Sequence, residues 1–211
     1  MKTPQTFVFF GIVGSGKGTQ VQLLEQYLKD SNLSEDVLST STGNEYRKII
    51  ESGSFTSLLV KDRYNKGYLQ PNFLTISLFT NILTANMKEN TTFIADGFPR
   101  TIEQSEAFES AMQFYGRENV HVVYIELGKE EATKRMKLRG RSDDTDEGIA
   151  QRFDEYVNNV IPAMNYFKGK DGYKMHTING EQTIEEVHQD LIKSLGISSY
   201  LWVARLSCLM R

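Results

Sequence analysis

Short apolar runs alternate along the chain with segments that have helical spacing. Strand-like runs occupy residues 6–10, 92–95, 120–125 and 173–178, and a weaker candidate precedes Ser39. Each has the length and the β-branched or aromatic content of a buried strand. Helical spacing is found near residues 21–28, 44–52, 72–87, 104–114, 129–138, 147–167 and 183–195. The alternation predicts an α/β fold, a three-layer sandwich with helices on both faces of a mostly parallel sheet of about five strands.

The segment between the first strand and the first helix predicts a phosphate-binding loop. It contains the pattern GxxxxGK within residues 11–20. Glycines in this setting turn successive backbone N–H groups toward a phosphate, and the following helix N-terminus adds a partial positive charge. Lys17 supplies a full charge for the outer phosphates. The candidate nucleotide-binding residues are Gly14, Ser15, Gly16, Lys17, Gly18 and Thr19.

A second motif, DGFPR at residues 96–100, directly follows another predicted strand. A carboxylate at this place suits Mg²⁺ held through water, so Asp96 is a candidate, with Thr19 as a possible further ligand. Arg100 can grip a phosphate with two hydrogen bonds. The alternatives are a turn or capping role for Asp96 and a surface ion pair for Arg100.

Further candidates are Thr42 and Arg47, after the weak strand, and a group of four arginines. Thr42 is also a typical helix N-cap. Several arginines that converge need an anion between them, and phosphoryl groups are such anions. A solvated surface paired with Asp143, Asp144 and Glu147 is the alternative. The arginines are Arg135, Arg139, Arg141 and Arg152.

The composition narrows the functional classes. The chain has 211 residues, 24 basic and 27 acidic residues and a net charge of −3, so no overall field favours nucleic acid or an anionic membrane. Its one cysteine, Cys208, excludes an internal disulfide and a cysteine-built zinc site. No apolar run reaches the roughly 20 residues of a membrane span. We expect a cytoplasmic protein without a targeting segment.

In combination, these motifs resemble the nucleoside monophosphate kinase family, the short-lid adenylate kinases in particular. The resemblance runs from about residue 5 to residue 195 and implies a P-loop kinase fold. It departs from the family at Val13, where proline is usual, and at Gln70 and Asn72, where a small apolar residue and aspartate are usual.

The resemblance also assigns binding roles. ATP is expected at the glycine loop, at Arg135 and Arg139, and at Gln182 near its adenine. Arg141 and Arg152 are expected to clamp the transferred phosphoryl group, and Gln104 to read the adenine of AMP. The expected catalytic residues are Lys17, Arg100, Arg139, Arg141 and Arg152. The AMP-binding residues are expected to be Thr42, Gly43, Arg47, Tyr68, Leu69, Gln70, Gly97, Arg100, Gln104, Arg141 and Arg152.

The implied domain division is a core with two small mobile insertions. The core comprises residues 1–39, 71–139 and 147–196, the monophosphate-binding lobe residues 40–70, and a very short lid residues 140–146. Residues 197–211 form an apolar extension without an assigned role.

The expected reaction is reversible, Mg²⁺-dependent transfer of the terminal phosphoryl group of ATP to AMP, giving two ADP, without zinc. Thr42 and Gln104 favour AMP as the acceptor, although Thr101 and Gln104 also fit a capping box at the start of a helix. The alternatives are a UMP/CMP kinase of the same family and a nucleotide-binding protein with weakened catalysis. We expect a monomer whose partners are ATP, AMP and ADP.

Overall fold

The computed structural model of the chain describes residues 4–141 and 143–197. Five parallel strands form one sheet in the order β2-β3-β1-β4-β5. The strands are β1 (Thr6–Phe10), β2 (Val37–Ser41), β3 (Thr92–Asp96), β4 (Val120–Glu126) and β5 (Tyr173–Asn179). The predicted fold class is confirmed.

Helices connect the strands and cover both faces of the sheet. They are α1 (Lys17–Asp30), α2 (Thr42–Glu51), α3 (Phe55–Asn65), α4 (Asn72–Asn86), α5 (Ile102–Phe114), α6 (Lys129–Arg139), α7 (Asp146–Glu155), α8 (Ile161–Asn165) and α9 (Ile184–Leu195). No helix in the described ranges is long and apolar enough to cross a bilayer.

Two helical segments differ from the sequence-based prediction. Helix α3 was not predicted because its apolar residues do not follow one face, and Phe55 and Leu58 are exposed. Its start is nevertheless marked by Ser54, whose side chain accepts a hydrogen bond from the Ser57 N–H. The single helix predicted near 147–167 is α7 and α8 joined by a π-helical turn, Tyr156–Val160. Pro162 lacks the N–H that a regular helix needs there.

The core consists of two clusters, one on each face of the sheet. Phe7 and Phe9 of β1 pack with α1 and α9, whereas Val8 and Phe10 point to the opposite face. This alternation is the period of a strand that is covered on both sides. A third cluster joins Ile12 of the glycine loop to α6 and α7. It fixes the loop at the carboxyl end of β1.

The end of the chain lies mostly outside the described residues. Ile197 is described, and its carbonyl accepts a hydrogen bond of 2.8 Å from the Tyr27 hydroxyl. The rest of the predicted 197–211 extension, residues 198–211, is not part of the description, and its role stays open.

Candidate active site

The glycine loop turns sharply between β1 and α1. Gly11 and Gly14 have φ values of +147° and +91°, which L side chains rarely adopt. A Cβ at Gly11 would lie 2.6 Å from the Ile125 carbonyl oxygen, and one at Gly14 would lie 2.8 Å from that of Ala132. Glycine is therefore required at both places for the loop to lie against β4 and α6.

Lys17, the first residue of α1, folds back over this loop. Its Nζ donates hydrogen bonds to the carbonyl oxygens of Gly11 (2.7 Å) and Ile12 (2.9 Å) and to Ser15 Oγ (3.3 Å). Burial lowers the pKa of Lys17 from 10.5 to about 8; Asp96 acts in the opposite direction, and the positive charge of Arg100 lowers the pKa further. An incoming phosphate would favour the charged form of this lysine.

Asp96 ends β3 and faces the start of α1. A Cβ at Gly18 would lie 3.8 Å from its Oδ2. Within the described ranges no cluster of three or more acidic, histidine or cysteine side chains is found that could hold a metal ion. One carboxylate with the exposed Thr19 hydroxyl nearby on α1 is nevertheless a donor set that fits Mg²⁺, because this ion keeps several waters and takes only one or two protein carboxylates.

Thr42, Gly97 and Arg100 form one hydrogen-bonded unit. The Gly97 carbonyl oxygen accepts from the Thr42 hydroxyl (2.8 Å) and from Arg100 Nε (2.9 Å). Gly97 has a φ of +80°, and a Cβ there would lie 2.5 Å from Thr42 Oγ1. The ends of β2 and β3 thus join without room for a side chain at Gly97, and the arginine is oriented by a backbone carbonyl.

Gln104, on α5, is buried and takes part in a local hydrogen-bond network. Its Oε1 accepts from the Arg100 backbone N–H (2.9 Å), and its Nε2 donates to Asn72 Oδ1 (2.8 Å). The same oxygen of Asn72 accepts from the Thr101 hydroxyl (3.1 Å). Thr101 is also the N-cap of α5, accepting from the Gln104 N–H. Gln104 therefore takes part in the N-terminal cap of α5 through its backbone and also lies at the cleft.

The unpredicted helix α3 contributes to the site. Arg47 Nη1 donates to the Tyr64 hydroxyl at 2.8 Å, and its Nη2 donates to Asn44 Oδ1. Tyr64 was missed because nothing in the local pattern around it indicates a helix. The role of Tyr64 is visible only in the three-dimensional structure, where its hydroxyl contacts Arg47, 17 positions away in the sequence.

Two of the four predicted arginines, Arg139 and Arg152, are paired with aspartates. Asp144 accepts two hydrogen bonds from Arg139 (3.0 and 2.8 Å) and one from Arg152 Nη1 (2.8 Å). Arg152 also donates to Asp143 Oδ2. Burial acts to raise the pKa of Asp144, but hydrogen bonds and charge from the arginines prevail and lower it. Pairing with Asp143 and Asp144, which the sequence offered as the alternative, is observed, and Arg139 and Arg152 also line the cleft.

The remaining predicted residues lie in different surroundings. Arg135 pairs with Glu131 (2.9 Å), and Arg141 is exposed. Ser15 is 3% exposed, and its Oγ accepts a hydrogen bond from Lys17 Nζ. Gln182 follows β5 and donates to Asp190 Oδ2 (2.9 Å), away from the cleft-lining residues.

A single cleft of about 1170 Å³ lies over the carboxyl edge of the sheet. Tyr64, Asp143, Glu155 and Tyr156 also line it, although the sequence did not single them out as site residues. The predicted residues that line it are Gly14, Gly16, Lys17, Gly18, Thr19, Thr42, Gly43, Arg47, Tyr68, Leu69, Gln70, Asp96, Gly97, Arg100, Gln104, Arg135, Arg139, Arg141 and Arg152.

A parallel sheet with a glycine-loop lysine and several arginines around one cleft defines a P-loop phosphotransferase. A family model for adenylate kinase matches residues 9–172. The chain is 32% identical over 189 residues to the adenylate kinase of Prochlorococcus marinus (strain AS9601), covering 90% of this chain and 97% of the relative. It is 34% identical over 184 residues to that of Parabacteroides distasonis, covering 85% and 92%. The chain belongs to the adenylate kinase family.

Proposed function

We propose that the protein catalyses the reversible transfer of the terminal phosphoryl group of ATP to AMP, giving two ADP. The observation that carries this proposal is the shared cleft: Lys17 in the phosphate loop and Arg100 at the end of β3 line the same space. At about 1170 Å³ this space exceeds the roughly 300–1,000 Å³ usual for one small ligand, which supports a site for two nucleotides.

The acceptor phosphate itself is the attacking group, so the protein supplies position and charge rather than a nucleophile. Lys17 would move from the carbonyls of Gly11 and Ile12 onto the donor phosphates. Arg100 and Thr42 would hold the acceptor phosphate. Arg139 and Arg152 would exchange their bonds to Asp144 for bonds to the phosphoryl group in transfer.

Asp96 and Thr19 would hold Mg²⁺, with Asp96 acting through water. When bound, this ion neutralises the phosphates so that a second anion can approach. From the end of β3, Asp96 would orient the waters of this ion.

We also propose the division into a core, a monophosphate-binding lobe at residues 40–70 and a short lid at residues 140–146. The C-terminal end of the lobe is in contact with α7, since the Leu69 N–H donates to Glu155 Oε1 at 3.3 Å. At Gly67, which has a φ of +82°, a Cβ would lie 2.4 Å from the Gly148 carbonyl oxygen. This close approach means that the lobe packs against α7 at residue 67.

We further propose a monomer that works in the cytoplasm. A single cysteine, Cys208, and a small net charge of −3 suit a reducing compartment and small-molecule partners. Light scattering at assay concentration tests the oligomeric state, and a mass of twice the 24.1 kDa chain would contradict it.

Acceptor choice is the direct test of the proposed function. With ATP and Mg²⁺, we expect AMP to be phosphorylated much faster than UMP, CMP or GMP, because the Gln104 amide offers both a donor and an acceptor to adenine. A coupled assay of ADP formation with each monophosphate measures this. Faster turnover of UMP or CMP would reject the proposal in favour of a pyrimidine kinase, and no turnover would indicate a binding protein.

ATP affinity should depend on pH through Lys17. Its pKa is about 8 in the free protein, so above that pH the lysine must take up a proton to pair with phosphate. We expect the affinity to fall about tenfold between pH 7 and pH 9, measured by calorimetry with ATP. The Lys17→Met variant should bind weakly with little dependence on pH. An equal pH dependence in both proteins would show that another group is responsible.

A further inference from the structure

The direction of the Gln104 amide is set by its neighbours. A backbone N–H can only donate, so the bond of 2.9 Å from the Arg100 N–H requires the oxygen end of Gln104 to face it. The nitrogen end must then face Asn72, at 2.8 Å from its Oδ1. The two ends of an amide are normally hard to tell apart, but here a group that cannot reverse decides between them.

Asn72 is oriented by the same logic. Its Oδ1 accepts from Gln104 Nε2 and from the Thr101 hydroxyl, which leaves Nδ2 on the other side. Thr101 is the N-cap of α5, so Asn72 connects Gln104 to the start of that helix.

After these bonds, Gln104 still has one unused hydrogen-bond donor and one unused acceptor, and the direction of the amide fixes which end carries which. Its Nε2 has a second hydrogen and its Oε1 a second lone pair, and the residue lines the cleft. Adenine carries an amino donor at C6 beside the acceptor N1. A 6-oxo purine carries an acceptor at C6 beside a donor N1–H, the reverse order. Binding the reversed edge would require the amide to turn over and break its bonds to Arg100 and Asn72.

We propose that Asn72 is a specificity-determining positioning residue, which holds the Gln104 amide in the direction that accepts a 6-amino purine and rejects a 6-oxo purine. The inference rests on the proposed function for the identity of the acceptor site. Asn72 acts through Gln104 and the Thr101 hydroxyl.

The test compares AMP with inosine monophosphate, which differs from AMP only at this edge of the base. For Asn72→Ala we expect the AMP preference in kcat/KM to fall on the order of tenfold, through a higher KM for AMP and better use of inosine monophosphate. Asn72→Asp retains an oxygen that accepts from Gln104, so it should keep most of the preference. Asn81→Ala removes an exposed asparagine from the same helix, outside the cleft, and should behave as the wild type.

The outcomes separate the two proposals. An unchanged preference in Asn72→Ala, or an equal loss in Asn72→Ala and Asn72→Asp, would overturn the positioning role. Absence of AMP phosphorylation by the wild type would instead overturn the proposed function. In that case calorimetric affinities for AMP and inosine monophosphate, measured on the same four proteins, still decide the role of Asn72. A wild type that binds neither nucleotide would overturn both.

Discussion

Replacing Lys17 with Met is expected to lower kcat by about a thousandfold or more, because one full charge on the transferring phosphoryl group is worth that much in related chemistry. Methionine keeps the length and much of the volume of lysine but carries no charge. The three hydrogen bonds that Lys17 makes to the loop hold its amine against the glycine loop, which supports its assignment to the phosphates. The measurement is kcat with saturating ATP and AMP.

The fold should survive this change. Burial lowers the pKa of Lys17 below its ordinary value of 10.5, to about 8, so the folded protein disfavours its charged form. Below pH 8 that penalty is present in full, and it is relieved as pH rises from 8 to 10.5. We therefore expect Lys17→Met to have an unchanged or higher melting temperature at pH 7.

Lys29→Met is the matched control for Lys17. Lys29 lies on the same helix, 47% exposed at its side chain, and pairs with Glu25 at 2.7 Å. It should retain wild-type kcat, since a surface ion pair of this kind contributes little. Activity above a tenth of the wild type in Lys17→Met would contradict the assignment of Lys17 to the phosphates.

Replacing Arg100 with Ala is expected to lower kcat/KM for AMP by about a hundredfold or more. The guanidinium is held toward the cleft by the Gly97 carbonyl and has further donors left for an acceptor phosphate. Arg100→Lys keeps the charge but not the paired donors, so we expect an intermediate loss. Steady-state kinetics with AMP varied at saturating ATP measure both variants.

The loss in Arg100→Ala should not come from unfolding. The Gly97 carbonyl still accepts from the Thr42 hydroxyl when the arginine side chain is removed, so no buried acceptor is left without a donor. The bond to Gln104 uses the backbone N–H of residue 100 and is retained. We expect a change in the free energy of unfolding within about 1 kcal/mol. Near-normal turnover in this variant would show that Arg100 is a surface residue without a catalytic role.

Much of the fold could be predicted because its signals are local. Buried strands such as β1 are encoded by a few consecutive apolar residues, and the glycine loop by backbone conformations that only glycine adopts. Helix α3 could not be predicted because it exposes Phe55 and Leu58 and lacks a clear apolar face. The break between α7 and α8 followed from a single proline within an otherwise helical pattern.

The candidate site, like the fold, has features that local sequence patterns predict and features that they do not. The sequence indicated candidate charged residues for phosphate chemistry, but it left open whether Arg139 and Arg152 are surface residues or cleft residues. In the structure they face the cleft while Asp144 neutralises both. Such pairing depends on the packing of α6 against α7, which no local pattern specifies.

By itself, the sequence determined the class of fold, the phosphate loop and the residues available for the reaction, since each follows from short-range pattern and side-chain chemistry. Only the tertiary structure decided which groups meet. Gln104 and Asn72 are 32 positions apart, and the direction of their amides follows from the Arg100 N–H beside them. The direction of a side-chain amide is set by its neighbours in three dimensions, so the presence of suitable residues in the sequence cannot specify it.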